Sequence, residues 1–132
     1  MQNTLFISQT KITPEVKFEP NGSLYWNGEA FPEDAPTFFQ PVLAWLRGYI
    51  KSEYVQIKNT KTYFKSKLLY FNSGARPYIL NAIKLLNELA QTGHRVEIDW
   101  EYDMAGDIDE DDINFPELLE NFSIHINYIL NK

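Results

Sequence analysis

The fold is decided by residues 68–102, which read LLYFNSGARPYILNAIKLLNELAQTGHRVEIDWEY. Residues 68–71 are apolar, the next part repeats apolar residues at helical spacing, and the last part alternates apolar and charged residues. These patterns predict a strand, a helix ended by Gly93, and a second strand. Because a helical crossover joins parallel strands, the two strands should be parallel. The predicted helix stripe consists of Ile79, Ala82, Ile83, Leu86, Leu89 and Ala90.

The alternation in residues 95–103 predicts a strand with one apolar face and one charged face, so helices should cover mainly one side of the sheet. Residues 62–71 are strand-like, and residues 68–71 are apolar throughout, which predicts a central strand covered on both faces. The predicted core comprises Leu68, Tyr70, Ile79, Ile83, Leu86, Val96, Ile98 and Trp100.

Upstream, short alternating runs are separated by turn signals. The dipeptide Asn21-Gly22 predicts a hairpin between a strand containing Val16 and Phe18 and one containing Leu24 and Trp26. A second turn at Asn27-Gly28 would lead to a third short strand at residues 29–31, which would complete a β meander. A helix should follow Pro36, with Pro41 near its first turn or at a kink.

Downstream, an acidic loop precedes a predicted short helix at residues 115–122 and a final strand at residues 124–130. The element order predicts one α/β domain over residues 1–132: a two-layer sandwich with a mixed sheet, an N-terminal β meander and helices mainly on one face.

Composition excludes several classes of function. The 132 residues include no cysteine, which rules out disulfides, thiolate zinc sites and cysteine nucleophiles. The net charge of -6 argues against a nucleic-acid partner. No signal peptide or spanning apolar run is visible, so we expect a cytoplasmic protein without membrane insertion.

Enzymatic patterns are sparse. The two histidines, His94 and His125, lie beside apolar strand residues, and no glycine-rich phosphate loop follows a strand. In the acidic loop, residues 107–112, an EF-hand pattern begins but has Asp112 where glycine is required and Leu118 where glutamate is required. We therefore expect neither a specific metal site nor a cofactor.

Asn72, Ser73 and Gly74 lie between the central strand and the helix. A phosphate on the Ser73 hydroxyl would meet the N–H groups and the favourable dipole end of that helix. Gly74 would let the backbone of a partner approach closely. The alternative is that Ser73 is only a turn or capping residue.

Further marks are distributed along nearly the whole chain: Thr13-Pro14-Glu15-Val16, Phe18, Gly22, Leu24, Gly28-Glu29-Ala30-Phe31-Pro32-Glu33, Phe38-Phe39, Pro41, Trp45-Leu46, Tyr49, Leu69-Tyr70-Phe71-Asn72-Ser73 and Trp100-Glu101-Tyr102. With this order and spacing the chain resembles the SiaC family of bacterial regulatory phosphoproteins. The resemblance implies a STAS-like fold without catalytic activity, and phosphorylation at Ser73. It also implies a dedicated kinase of the histidine-kinase-like ATPase fold, a PP2C-type phosphatase, and a target such as a diguanylate cyclase in cyclic-di-GMP and biofilm control.

On this interpretation the partner would contact Tyr70, Asn72, Gly74 and Arg76 around the phosphorylation site. The chain departs from the family, which usually has Asn-Thr-Ser-Ser where this sequence has Asn-Ser-Gly-Ala at residues 72–75. Pro77 disfavours helix at Arg76 and predicts a junction loop longer than that of the family. Two alternatives remain open: a small enzyme that uses the acidic loop, and an interaction domain that is never phosphorylated.

Overall fold

The computed structural model describes residues 3–103 and 124–131. The described elements are β1 (Leu5–Ile7), β2 (Glu15–Phe18), β3 (Ser23–Ala30), α1 (Ala35–Tyr49), α2 (Glu53–Gln56), β4 (Lys61–Phe71), α3 (Arg76–Gln91), β5 (Arg95–Asp103) and β6 (His125–Asn131). The strands form one mixed sheet in the order β1-β2-β3-β4-β5-β6. The acidic loop and the predicted helix at residues 115–122 lie outside the described residues.

The predicted crossover of residues 68–102 is confirmed. β4 and β5 are parallel neighbours, with Lys61 opposite Arg95 and Ser66 opposite Trp100. The inward face of α3 packs into the core through Ile79, Ala82, Ile83, Leu86 and Leu89. The apolar stripe therefore predicted the buried face of this helix.

Tyr70 is the exception among the predicted core residues, because it is only half-buried. The pairing of β3 with β4 shifts between Gly28 and Glu29: Leu68 lies opposite Gly28, whereas Tyr70 lies opposite Glu29. One extra residue in β4 makes a β-bulge, which reverses the alternation of faces. Phe71 therefore packs against the core in place of Tyr70. The apolar run marks a central strand with a bulge. Because residues 104–123 lie outside the described part, the expectation that both faces of this strand are covered stays a prediction.

The other face of β4 is polar and half-buried, with Tyr63, Lys65 and Lys67 along it. The Tyr63 hydroxyl donates a hydrogen bond to Asp99 on β5, which raises the pKa of Tyr63 to about 12. The Lys67 Nζ lies 3.6 Å from a carboxylate oxygen of Glu101. Cross-strand pairs of this kind stabilise the sheet on this face.

The hairpin predicted at Asn21-Gly22 is confirmed, because β2 and β3 pair in antiparallel fashion and the Gly22 N–H donates to the Glu19 carbonyl at 3.2 Å. Gly22 has φ +93° and packs so closely that a Cβ would lie 2.4 Å from the Lys61 carbonyl oxygen. The second predicted turn, at Asn27-Gly28, is wrong: β3 continues to Ala30, and Gly28 lies at the register shift. The meander is completed instead by β1, which pairs with β2.

Helix α1 begins at Ala35, slightly earlier than predicted. The Thr37 N–H donates to Asp34 Oδ1 at 3.2 Å, so Asp34 caps the helix. Pro36 occupies the first turn, whereas Pro41 lies inside the helix. The ring of Phe39 stacks on that of Tyr78 from α3 at 5.6 Å between centroids, which holds the beginnings of the two helices together.

Candidate functional site

The candidate site is the turn between β4 and α3. Ser73 and Gly74 are exposed, whereas the next residue, Ala75, is buried. Asn72 organises the turn: its side-chain Oδ1 accepts the Ala75 N–H at 2.8 Å, and its carbonyl accepts the N–H groups of Ala75 and Arg76, both at 3.2 Å. Asn72 therefore acts as a cap for an additional turn in front of α3.

The hydrogen bonds that stabilise this turn are accepted by Asn72. The capping side chain belongs to Asn72, so the geometry does not support Ser73 as the cap. The alternative that Ser73 is only a turn residue stays open, because Ser73 lies in the turn. Within the described residues, the N–H groups of Ser73 and Gly74 donate to no backbone carbonyl. Such first-turn N–H groups and the positive end of the helix dipole favour an added negative charge. The Ser73 hydroxyl is accessible to an enzyme that would phosphorylate it.

The expectation that Pro77 disfavours helix at Arg76 is wrong, whereas a junction loop longer than in the family stays a prediction. Helix α3 begins at Arg76, with Pro77 in its first turn. A first-turn residue needs no N–H acceptor within the helix, so Pro77 is tolerated there. The junction consequently remains short, and the half-buried Arg76 lies three residues after Ser73.

Gly74 is not required by the backbone. Its φ is outside the left-handed region, and an added Cβ would lie 3.6 Å from Asn72 Oδ1, which is an ordinary contact. We expect Gly74→Ala to raise the free energy of unfolding by about 0.4–1 kcal/mol, because it restricts the unfolded chain without strain in the folded one. Urea denaturation of the two proteins measures this. A loss of stability would show that the turn needs glycine.

The structure places the four predicted partner-binding residues within one segment, but in different environments. Gly74 is exposed in the turn, Arg76 begins α3, and Asn72 is engaged as the cap. Tyr70 follows the bulge and is half-buried on β4, where it lies opposite Glu29.

Two exposed apolar residues were missed by the sequence reasoning. The Asn72 N–H donates to the Ala30 carbonyl at 3.0 Å, and the Phe31 N–H donates to the Ile12 carbonyl at 2.7 Å. Phe31 is 36% exposed and Ile12 is 42% exposed. We call Ile12, Phe31, Asn72, Ser73 and Gly74 the junction surface. The alternation of a strand would have placed Phe31 outward, because its neighbour Ala30 points inward. The incorrect prediction of a turn at Gly28 interrupted this alternation.

Residues 3–103 and 124–131 contain neither a cluster of metal-binding side chains nor a membrane-spanning helix. No group of three histidine, aspartate or glutamate side chains there could hold a metal ion. The acidic residues 107–112 lie outside the described part, so the expectation of no metal site stays a prediction. No helix in the described part has both the length and the apolar character needed to cross a bilayer.

Solved structures share this architecture. SiaC of Pseudomonas aeruginosa has a TM-score of 0.81 at 22% identity, covering 98% of this chain and 100% of that protein. The SiaC structure from the complex of the diguanylate cyclase SiaD with its activator SiaC, also from P. aeruginosa, has a TM-score of 0.79 at 23% identity and covers 96% of this chain and 99% of that one. At these identities the similarity shows the fold.

Sequence comparisons identify the family in addition to the fold. An uncharacterised protein of P. aeruginosa strain UCBPP-PA14 is 26% identical over 100 residues, which covers 75% of each chain. The family model described as "SiaC family regulatory phosphoprotein" matches residues 7–129. The match spans every described strand and helix except the first two residues of β1 and the last two of β6. The chain belongs to the SiaC family of regulatory phosphoproteins.

Proposed function

We propose that this protein is a non-enzymatic partner switch in which phosphorylation of Ser73 controls binding to a target protein. The observation that carries the proposal is the exposed Ser73, which directly follows the capping residue Asn72. The Asn72 N–H donates to the carbonyl of Ala30, the residue before the exposed Phe31. A dedicated kinase would add the phosphate in the cytoplasm, and a PP2C-type phosphatase would remove it. Because a structurally similar SiaC is the activator of a diguanylate cyclase, we propose a cyclase of this class as the target.

The direction of the switch follows from desolvation. A partner that covers the junction surface would bury Ser73. Phosphorylation adds about 1.5–2 negative charges at neutral pH. Burying that charge against a surface without matching cations is strongly unfavourable, so the phosphate should release the partner. In the free protein the first-turn N–H groups, together with Arg76, would favour the phosphorylated form.

The switch predicts three affinities for the target cyclase. Phosphorylation should weaken binding at least tenfold, equivalent to about 1.4 kcal/mol. Ser73→Ala should bind nearly as well as the unmodified protein, because it removes only a small exposed hydroxyl. Ser73→Asp should be intermediate, since it carries one charge and a different shape. Titration of the cyclase with the four forms, with Ser23→Ala as an exposed-serine control, measures these affinities.

The site itself is tested separately by phosphopeptide mapping after reaction with the cognate kinase. Label on Ser73, absent from Ser73→Ala and retained in Ser23→Ala, is expected. Label on Ser52 or Ser66 alone would contradict the assignment. Equal affinities of the phosphorylated and unmodified proteins would reject the switch and favour an interaction domain that phosphorylation does not control.

A further inference from the structure

A polar cavity of about 670 Å³ opens at the end of the sheet opposite Ser73. The eleven residues of β4 separate the two places, since Lys61 starts the strand at the cavity and Phe71 ends it beside the junction surface. At about 3.3 Å per residue the separation is about 35 Å. The cavity is therefore distinct from the proposed switch.

The charge of the cavity is opposite to that of the chain. Lys58, Lys61 and Arg95 line it, and no lining residue in the described part carries a carboxylate, although the chain has a net charge of -6. Arg95 donates to Glu97 Oε1 at 2.6 Å and is partly neutralised. Lys58 and Lys61 form no ion pair with any described residue. Two lysine charges thus remain for a ligand.

The strand register concentrates this charge. Lys61 on β4 lies directly opposite Arg95 on β5. Like charges in facing positions on neighbouring strands destabilise a sheet. A bound anion would relieve this repulsion, so the feature that costs stability in the free protein would contribute to binding.

The cavity wall is already ordered by its own hydrogen bonds. The single proton of the Thr60 hydroxyl is shared between the carbonyls of Tyr54 at 2.9 Å and Ile57 at 2.8 Å. The Tyr54 hydroxyl donates to the Lys61 carbonyl at 2.8 Å. Because these hydrogen bonds already order the loop, binding of a ligand would lose little conformational entropy there. Ile57 is 59% exposed at the cavity and offers an apolar contact.

His94 also lines the cavity, but it does not supply the positive charge. Its Nε2 is 2.8 Å from Thr62 Oγ1, which lies 2.5 Å from the Tyr49 hydroxyl in the core. Partial burial lowers the pKa of His94 below its ordinary value of 6.5, so the ring is neutral at pH 7. The attraction for an anion at this pH comes from the lysines and Arg95.

We propose that this cavity binds a small organic phosphate, with a dianionic phosphate group on Lys58 and Lys61 and an apolar or aromatic body against Ile57. Two lysine charges match a dianion, and the volume lies within the range of about 300–1,000 Å³ that small-molecule sites occupy. The site is independent of the Ser73 switch.

Phenyl phosphate is the probe that combines both chemical features. Calorimetry should show saturable binding to the wild-type protein, weakened at least tenfold in the Lys58→Ala/Lys61→Ala double variant. The Lys11→Ala/Lys84→Ala variant removes the same charge from exposed positions outside the cavity and should bind as the wild type does. Phenyl phosphate should also raise the melting temperature of the wild type, because a ligand of the folded state stabilises it.

The melting temperature without ligand distinguishes a ligand-binding role of Lys61 from a structural one. Lys61→Ala alone should keep or raise the melting temperature without ligand, since it removes the repulsion with Arg95, while it weakens phenyl phosphate binding. Absence of saturable binding to the wild type, or equal loss in the two double variants, would overturn the site. Inorganic phosphate or phenol that binds as tightly as phenyl phosphate would overturn the assigned ligand class.

Discussion

Leu86→Ala is expected to lower the free energy of unfolding by about 2–5 kcal/mol, as large-to-small substitutions in a packed core do. Leu86 is completely buried on the inward face of α3, where it belongs to the main hydrophobic core. The substitution removes apolar contacts and leaves a cavity that the surrounding helix and sheet can fill only partly. Urea or thermal denaturation of the purified protein measures the loss.

Leu85→Ala is the matched control, because it removes the same atoms from the neighbouring position of the same helix. Leu85 is only half-buried, so its substitution should cost clearly less than that of Leu86. A loss below about 1 kcal/mol for Leu86→Ala, or equal losses for both variants, would mean that the inward face of α3 is wrongly assigned.

Phe31→Ala is expected to weaken binding of the target cyclase by about thirtyfold, or about 2 kcal/mol, if Phe31 is an aromatic anchor of the interface. Phe31 lies directly after Ala30, whose carbonyl accepts the Asn72 N–H, so it adjoins the proposed phosphorylation site. A partner that covers Ser73 would therefore also cover this ring. Titration of the unphosphorylated protein with the cyclase measures the effect.

Phe6→Ala controls for the loss of an exposed phenyl ring elsewhere. Phe6 is 57% exposed on the edge strand β1, outside the junction surface. Its substitution should leave the affinity within about a factor of two, equivalent to about 0.4 kcal/mol. Equal weakening by both substitutions, or none by Phe31→Ala, would move the interface away from the junction surface.

Local patterns predicted the crossover of β4, α3 and β5 because each element repeats its apolar residues with its own period. They failed where the period was interrupted. The bulge in β4 reversed the faces after Leu68, and Gly28 lies at this shift instead of in a turn. A bulge depends on the pairing of two strands that are distant in sequence, so a local pattern of either strand does not reveal it.

Ser73 could be selected from sequence because its place between a strand and a helix and its family resemblance coincide. The roles of its neighbours required the folded chain. Asn72 became the cap through its hydrogen bond to Ala75, and Phe31 became part of the same surface because β3 and β4 end side by side. Pro77 fits the junction because α3 begins at Arg76, which places Pro77 in the first turn of the helix.

The periodic order of apolar residues was sufficient for the α/β class, the parallel crossover, the buried face of α3 and the position of Ser73, since these depend on neighbours along the chain. Strand register, the outward turn of Tyr70, the junction surface and the cationic cavity depend on contacts between distant segments. Lys61 and Arg95 illustrate this difference, because they are 34 positions apart in the sequence and directly opposite in the sheet. Only the pairing of β4 with β5 brings their charges together.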